Sequence, residues 1–349
     1  MELKLLNFVR LVVVIILILN LMWISANAQT KIAYGDQPQL SAAKDGVIRL
    51  IYGEADKIYY STSIDNGKTF HRPVLVGEID GMHLGMTRGP QLATSKDYSL
   101  VTAMDKKGNI HTFRLTHRTK KWEKINNVND SEGSAPEGLM SIAADEENHF
   151  YAVWLDLRED RQNNICFSTS KDDATWSKNS FIYKSPDGHV CECCKPSIVV
   201  KGKQVSVMFR NWIMGSRDLY LINSFDSGGS FSPAQKLGIG TWPLKACPMD
   251  GGGLSIAKES YIQTAWQRDG QVFYAIAGKP EQNIGSGRGV SMNGNLIYWQ
   301  NGDDLVIKSI NGQPTPVGQG TALTAVELKD SSILVVWQQD NQIVYKTIK

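Results

Sequence analysis

The cysteines are the residues of this sequence whose types and spacing suggest chemistry most directly. Three of them, Cys191, Cys193 and Cys194, fall within four consecutive positions, and Cys247 lies in the later stretch WPLKACPMDGGG. Thiols at this density can form disulfides, bind a soft metal ion such as Zn(II) or Cu(I), or take part in redox exchange. His189, just before the three cysteines, adds a nitrogen ligand for a metal.

The spacing constrains each of these three uses. Cys193 and Cys194 are adjacent, so their Cα atoms are about 3.8 Å apart, which is too close for an ordinary disulfide. The disulfide interpretation therefore pairs Cys247 with one member of the cluster and leaves two thiols nearby. The metal interpretation uses all four cysteines, with Asp250 as a further candidate ligand. A redox role is less favoured because the Cys191-x-x-Cys194 pair does not begin a helix.

The N-terminus indicates the compartment in which these thiols work. Lys4 and Arg10 precede an apolar run over residues 11–24, and small residues follow this run. This pattern predicts a signal peptide over residues 1–28, cleaved before Gln29. The run is shorter than the roughly 20 residues of a membrane-spanning helix. We expect the mature chain to be secreted or periplasmic, where disulfides are chemically permitted.

The balance of charged residues indicates which class of molecule the protein binds. The 349 residues contain 37 Lys and Arg against 35 Asp and Glu, a net charge of +2 that is spread along the chain. This balance argues against nucleic acid and membrane-surface partners and favours a small polar ligand. The planar guanidinium group of arginine binds carboxylates through two hydrogen bonds, so an anionic ligand is expected near the arginines. The candidate ligand-binding residues are Arg88, Asp156, Arg158, Arg210, Arg217, Asp250 and Arg268. The alternative is that each arginine pairs with a nearby acid and stiffens a loop.

A repeat runs along the mature chain and must position these residues. Short runs rich in Val, Ile, Tyr, Phe and Trp recur between Gly, Asn and Asp turns, and no long segment has a helical period. A period of roughly 45 residues with four strands per unit predicts an all-β, β-propeller domain of four-stranded antiparallel blades over residues 29–349. Seven units are counted, although the compact sixth unit leaves six as an alternative. The seventh lacks an outer strand, which residues 31–34 can supply.

Three turns between third and fourth strands share a local motif. Residues 63–70 (SIDNGKTF) and 224–231 (SFDSGGSF) fit S-x-D-x-G-x-[TS]-[FW], and residues 170–176 (SKDDATW) are a shorter relative. These motifs look like Asp-boxes, and with the repeat the mature chain resembles the sialidase/BNR-repeat propellers. We expect Asp65, Asp172 and Asp226 to be structural, since each carboxylate would cap its own turn.

In a propeller, the turns between second and third strands and the links from one blade to the next emerge on one face, which we call the link face. The cysteine cluster lies in the link between blades three and four. Cys247 lies in the link between blades four and five. The sequence therefore predicts that all four cysteines meet on the link face, together with the candidate arginines.

The resemblance also implies an activity. Sialidases bind the substrate carboxylate with an arginine triad and use a tyrosine nucleophile with a glutamate and an aspartate. The first blade begins GDQPQL without the family's early arginine motif, so no catalytic residues are assigned. We expect a glycan-binding protein suited to acidic sugars, of exo-sialidase type if it is an enzyme. The alternative is a non-catalytic propeller whose cysteines hold Cu or Zn, or whose link face docks a partner.

Overall fold

The computed structural model describes residues 29–171 and 175–349. Every regular element in these ranges is a β-strand, and the strands form seven antiparallel sheets. The innermost strand of each sheet contacts the innermost strand of the next, and the last contacts the first. The sheets are therefore the blades of a seven-bladed propeller, as the repeat predicts. The described ranges contain no helix with the length and apolar character needed to cross a membrane.

The strands follow the repeat in order. Before the first blade comes β1 (Thr30–Tyr34). Blades one and two contain β2 (Asp36–Ala42), β3 (Ile48–Glu54), β4 (Lys57–Ser63), β5 (Val74–Glu78), β6 (Gln91–Thr94), β7 (Tyr98–Met104), β8 (Ile110–Thr116) and β9 (Lys121–Ile125). Blades three and four contain β10 (Met140–Ala144), β11 (His149–Asp156), β12 (Asn164–Lys171), β13 (Thr175–Trp176), β14 (Ser180–Tyr183), β15 (Ser197–Lys201), β16 (Gln204–Arg210), β17 (Leu219–Ser224) and β18 (Gln235–Lys236).

The remaining three blades have the same order. Blades five to seven contain β19 (Gly253–Ile256), β20 (Ile262–Arg268), β21 (Gln271–Ile276), β22 (Gln282–Ser286), β23 (Arg288–Asn293), β24 (Leu296–Asn301), β25 (Asp304–Ser309), β26 (Thr315–Gln319), β27 (Thr321–Glu327), β28 (Ile333–Gln339) and β29 (Gln342–Ile348). Blade three is irregular, since β13 and β14 both pair with β12.

The second strand of each blade is the most buried. In β3 and β11 nearly every residue is buried, because both faces of a blade pack against neighbouring blades. Trp154, Trp266 and Trp337 are among the largest fully buried side chains, and each lies in a second strand. The hydrophobic core therefore lies in the spaces between neighbouring blades. The loops at the two faces are available for other roles.

The seventh blade is completed by the first strand of the chain. β1 pairs with β29, with Thr30 opposite Tyr345 and Tyr34 opposite Gln342. This pairing confirms the prediction that residues 31–34 supply the missing outer strand. It also resolves the choice between six and seven blades in favour of seven. The outer edge of β29 is covered by β1, so these two strands close the ring.

The two described turns whose sequences fit S-x-D-x-G-x-[TS]-[FW] lie on the face opposite the links. Asp65 accepts hydrogen bonds from the hydroxyl of Ser63 at 2.7 Å and from the backbone N–H of Thr69 at 3.0 Å. Asp226 makes the equivalent bonds to Ser224 at 2.7 Å and Ser230 at 2.9 Å. Both carboxylates therefore cap their own turns. Two predictions fall outside the described residues, namely the signal peptide over 1–28 and the third motif at Asp172.

Candidate functional site

The link between β14 and β15 carries Cys191, Cys193 and Cys194, which we call the cysteine cluster. All three side chains are buried, with at most 7% of the residue exposed. A disulfide joins Cys193 to Cys247, and the two Cα atoms are 6.1 Å apart. The bond connects the links on either side of blade four. Cys191 and Cys194 keep free thiols, as does Cys166 inside blade three.

The two free thiols of the cluster face each other. The sulfur of Cys191 lies 3.3 Å from that of Cys194 and 3.7 Å from that of Cys193. The hydrogen bond with Cys194, together with the nearby guanidinium groups of Arg217 and Arg210, lowers the pKa of Cys191 to about 6 despite its burial. Burial, and then the neighbouring sulfur, raise the pKa of Cys194 well above its usual value. The two shifts favour the state in which Cys191 is the thiolate and Cys194 keeps its proton.

Two arginines support the cluster in different ways. Arg217 donates from Nη1 to the Cys191 sulfur at 2.9 Å and stacks over Trp212, with 4.6 Å to the ring centroid. Arg210 is fully buried and donates to the backbone carbonyls of Asp250, Arg217 and Gln267 at 2.7–2.9 Å. Arg210 holds three backbone segments together and directs none of these donors towards a ligand.

Asp250 joins the cluster to the next link. Its carboxylate accepts the N–H of Gly289 at 2.7 Å and the N–H of Gly252 at 3.3 Å. The side chain is buried, and burial raises its pKa above the ordinary aspartate value. Asp250 therefore ties the link of blades four and five to the start of β23.

Beside the cluster, the central channel opens at the link face as a cavity of about 660 Å³. Its wall consists of the inner strands and of the residues that enter them from the links. The polar residues of the lining are Gln37, Gln39, Gln91, Lys195, Ser197, Arg288 and Gln338, among others. Asp250 is the one candidate ligand-binding residue from the sequence that lines the cavity.

Lys195 is the residue of the channel that sequence reasoning missed. Its Nζ reaches Gln91 Oε1 at 3.4 Å, and no carboxylate of the described residues comes within ion-pair distance of it. Gln91 is itself held by Gln39, whose amide donates to the same oxygen at 2.9 Å. Burial lowers the pKa of Lys195 to about 8. Its place between Cys194 and Pro196, directly before an inner strand, is the sequence signal that identifies it.

A second cation lies at the same mouth. Arg288 begins β23 and lines the cavity, and its side chain is exposed. Among the described residues it forms no side-chain hydrogen bond or ion pair. Lys195 and Arg288 therefore present two positive charges to the channel without an acidic partner.

The other predicted ligand residues do not line the cavity, and each of them has a partner within the protein. Arg158 binds the Asp156 carboxylate through two nitrogens, each at 2.8 Å. Arg268 binds Glu281 at 2.9 Å. Arg88 donates to the carbonyl of Glu137 at 2.6 Å. His189 turns Nδ1 towards the carbonyl of the next residue at 2.9 Å and stacks on Trp212.

Comparisons with known proteins identify the architecture. No model of a known protein family matches the chain, and no curated protein matches it. Among solved structures, a streptogramin B lyase is 10% identical with a TM-score of 0.55, covering 91% of this chain and 96% of that one. A PL25 ulvan lyase bound to GlcA(1-4)Rha3S is 10% identical with a TM-score of 0.55, covering 92% and 96%. The Hadza microbial sialidase Hz136 is 10% identical with a TM-score of 0.50, covering 92% and 68%. At these identities the likeness shows a shared propeller fold.

Proposed function

We propose that the protein is an exported β-propeller that binds an acidic saccharide at the link-face mouth of its central channel. The observation that carries the proposal is Lys195, a cation in the channel whose only hydrogen bond within the described residues is a long one to Gln91. Lys195 is half-buried and its ammonium has no counter-charge among the described residues, so a ligand carboxylate or sulfate would complete the site. Export rests on the signal peptide pattern of residues 1–28.

The two cations at the mouth form no ion pair with the carboxylates of the described residues, including Asp36 and Asp250 of the same cavity, and they favour an anion over a neutral sugar. Lys195 lies within the ring, and Arg288 lies on the exposed rim of the same cavity. Lysine supplies a point charge and arginine a planar fork, so the two together can hold separate oxygens of one acidic group or of two.

The shape and polarity of the cavity favour a saccharide. A volume of about 660 Å³ lies in the usual range for small-molecule sites. The amides of Gln37, Gln39 and Gln338 line the wall. Those of Gln39 and Gln338 bond to neighbouring residues, whereas the side-chain amide of Gln37 bonds to no other described residue and suits a hydroxyl group as partner. The ulvan lyase with the same fold is bound to a saccharide that contains glucuronic acid, which supports a ligand of this class.

The channel supports binding more directly than hydrolysis. A glycosidase needs a nucleophile and an acid/base beside the scissile bond. Two carboxylates line the cavity, and both have partners: Asp36 accepts the side-chain amide of Gln338, and Asp250 accepts two backbone N–H groups. We therefore assign these carboxylates to the structure of the channel.

The test is calorimetric binding of the mature protein to paired saccharides that differ in one acidic group. Sialyllactose against lactose and a glucuronate disaccharide against its glucose equivalent are suitable pairs. We expect the acidic member to bind, and the Lys195→Gln variant to bind it at least about tenfold more weakly, the loss typical of one charged hydrogen bond.

The matched control is Lys203→Gln, which removes a lysine from the exposed turn between β15 and β16 on the opposite face. We expect this variant to bind as the wild type does. Equal binding of acidic and neutral saccharides, or an equal loss in both lysine variants, would contradict the proposal.

A further inference from the structure

Three sulfur-bearing side chains pack together beside the channel, and of these Met249 also lines the cavity of the proposed saccharide site. They are the free thiols of Cys191 and Cys194 and the thioether of Met249, which packs against the cysteine cluster from the link of blades four and five. We propose that these three side chains bind one Cu(I) ion, while the Cys193–Cys247 disulfide holds the two links together.

The sulfur positions suit a shared ion. Two sulfurs bound to one metal at about 2.3 Å each are at most about 4.6 Å apart. The Cys191 and Cys194 sulfurs are 3.3 Å apart, and the three cysteine sulfurs of the cluster lie within 4.8 Å of one another. A small outward rotation of either thiol therefore admits the ion without a backbone change.

The donor set selects Cu(I) over Zn(II). A structural zinc site takes four ligands drawn from Cys, His, Asp and Glu. Here Cys193 and Cys247 are consumed by the disulfide, and His189 lies outside the group of sulfur donors among the described residues. The Asp250 carboxylate already accepts two backbone N–H groups. Two thiolates and a thioether remain, and soft sulfur ligands in low number are the preference of Cu(I).

The surroundings offset the charge of such a site. Two thiolates and one Cu(I) carry a net charge of −1, and Arg217 donates to the Cys191 sulfur at 2.9 Å. The cysteine sulfurs are buried, which limits the access of water and oxidants to the ion from their side.

The backbone also holds the third donor in place. Met249 has a φ of 53°, a left-handed conformation that residues other than glycine seldom adopt. The disulfide lies two residues before it, and Asp250 follows it with bonds to the next link. The link therefore maintains Met249 against the cluster at a conformational cost, as expected where a side chain is positioned for binding.

The test uses the mature protein with its disulfide intact, handled without oxygen and titrated with Cu(I) in competition with the chromophoric chelator bicinchoninate. We expect one equivalent of Cu(I) to bind. Cys194→Ser should weaken binding by at least about a hundredfold. Met249→Leu, which keeps the apolar volume, should weaken it by about tenfold and remove one sulfur neighbour from the copper X-ray absorption spectrum.

The control is Cys166→Ala, which removes a free buried thiol in β12, away from the cluster. It should leave Cu(I) affinity unchanged. The proposal is overturned if no Cu(I) binds, if Cys194→Ser and Cys166→Ala behave alike, or if Zn(II) displaces Cu(I) at equal concentration. If Cys194→Ser does not fold, the Met249→Leu comparison decides the outcome alone.

Discussion

Lys195 carries a charge that depends on the pH at which binding is measured. Its pKa is lowered by burial to about 8, so the ammonium predominates at neutral pH and is lost above that value. We predict that affinity for an acidic saccharide is constant below about pH 7 and falls as the pH rises, approaching tenfold per unit above about pH 8. Calorimetry across this range measures the effect.

The Lys195→Arg variant is the control for that pH profile, because arginine keeps its charge at every pH in the range. Its affinity should not fall between about pH 7 and pH 9. A wild-type profile as flat as that of the variant would show that Lys195 does not contact the acidic group.

At the residue scale, the sequence locates the cysteines better than the ligand residues. The link-face argument correctly brings Cys247 to the cluster, but spacing alone does not tell which thiol pairs with it. The arginines illustrate a different limit. Arg158 and Arg268 lie beside Asp156 and Glu281, and such pairs depend on how loops fold back. In the sequence, Lys195 is indistinguishable from an ordinary loop lysine. Its position in the channel depends on how the inner strands converge around it.

The links are the elements that bring the cysteine cluster and the channel together, and their close approach depends on Gly251. A Cβ atom at this position would lie 1.9 Å from the backbone oxygen of Lys195. We predict that Gly251→Ala forces the two links apart and lowers the free energy of unfolding by about 1–3 kcal/mol, the usual cost of overpacking. Urea denaturation measures the loss.

Gly312→Ala is the matched control, because its nearest neighbour atom would be at 3.4 Å and its φ is not in the left-handed region. It should be close to neutral in the same denaturation experiment. If the Gly251→Ala variant unfolds at the wild-type urea concentration, the two links are not in rigid contact.

Another element-scale contact fixes the link that follows β18. Burial raises the pKa of Glu281, but the N–H groups of Ile239 and Gly240 and the Arg268 guanidinium outweigh it, so the pKa falls from 4.5 to about 2. The stabilisation is therefore present above pH 4.5 and is lost as the pH falls towards 2. We predict that Glu281→Gln lowers stability by on the order of 3 kcal/mol at neutral pH.

The difference between wild type and Glu281→Gln should shrink steadily below about pH 4.5 and vanish near pH 2. Denaturation midpoints at several pH values give this comparison. Glu259→Gln, at an exposed turn residue, should show no such trend. A difference that does not change with pH would mean that packing, and not the carboxylate charge, is responsible.

At the scale of the whole molecule, the fold was predictable because each blade repeats the same sequence pattern. The apolar second strands recur along the sequence and favour a count of seven, but the compact sixth unit also allows six, and the strand pairing decides between the two numbers. The pairing of β1 with β29 could also be predicted, since the seventh repeat is one strand short. The residues that line the channel could not be predicted in this way. The cavity is formed jointly by residues from every blade, and no single repeat encodes it.

Ring closure makes a prediction for the molecule as a whole. Removing residues 29–35 takes away β1 and leaves the outer edge of β29 unpaired. We predict a loss of stability of about 3 kcal/mol from the missing strand hydrogen bonds and apolar contacts. The exposed edge should also promote self-association. Calorimetric melting and size-exclusion chromatography measure the two effects.

A synthetic peptide of residues 29–36 should bind the truncated protein and restore its melting temperature. A peptide with the same composition in scrambled order is the control. If the truncated chain melts with the wild type and stays monomeric, the seventh blade does not need its outer strand.

The pairing of β1 with β29 also determines when the ring can close during synthesis of the chain. Thr30 lies opposite Tyr345, so β1 finds its partner only after β29 has been synthesised. Contacts between such distant positions are slow to form because a long loop must close first. A nascent chain that does not yet include β29 is therefore an open arc with a free strand edge. The ring can close only when synthesis has passed β29, so β1 must wait unpaired while the blades between the two strands are made.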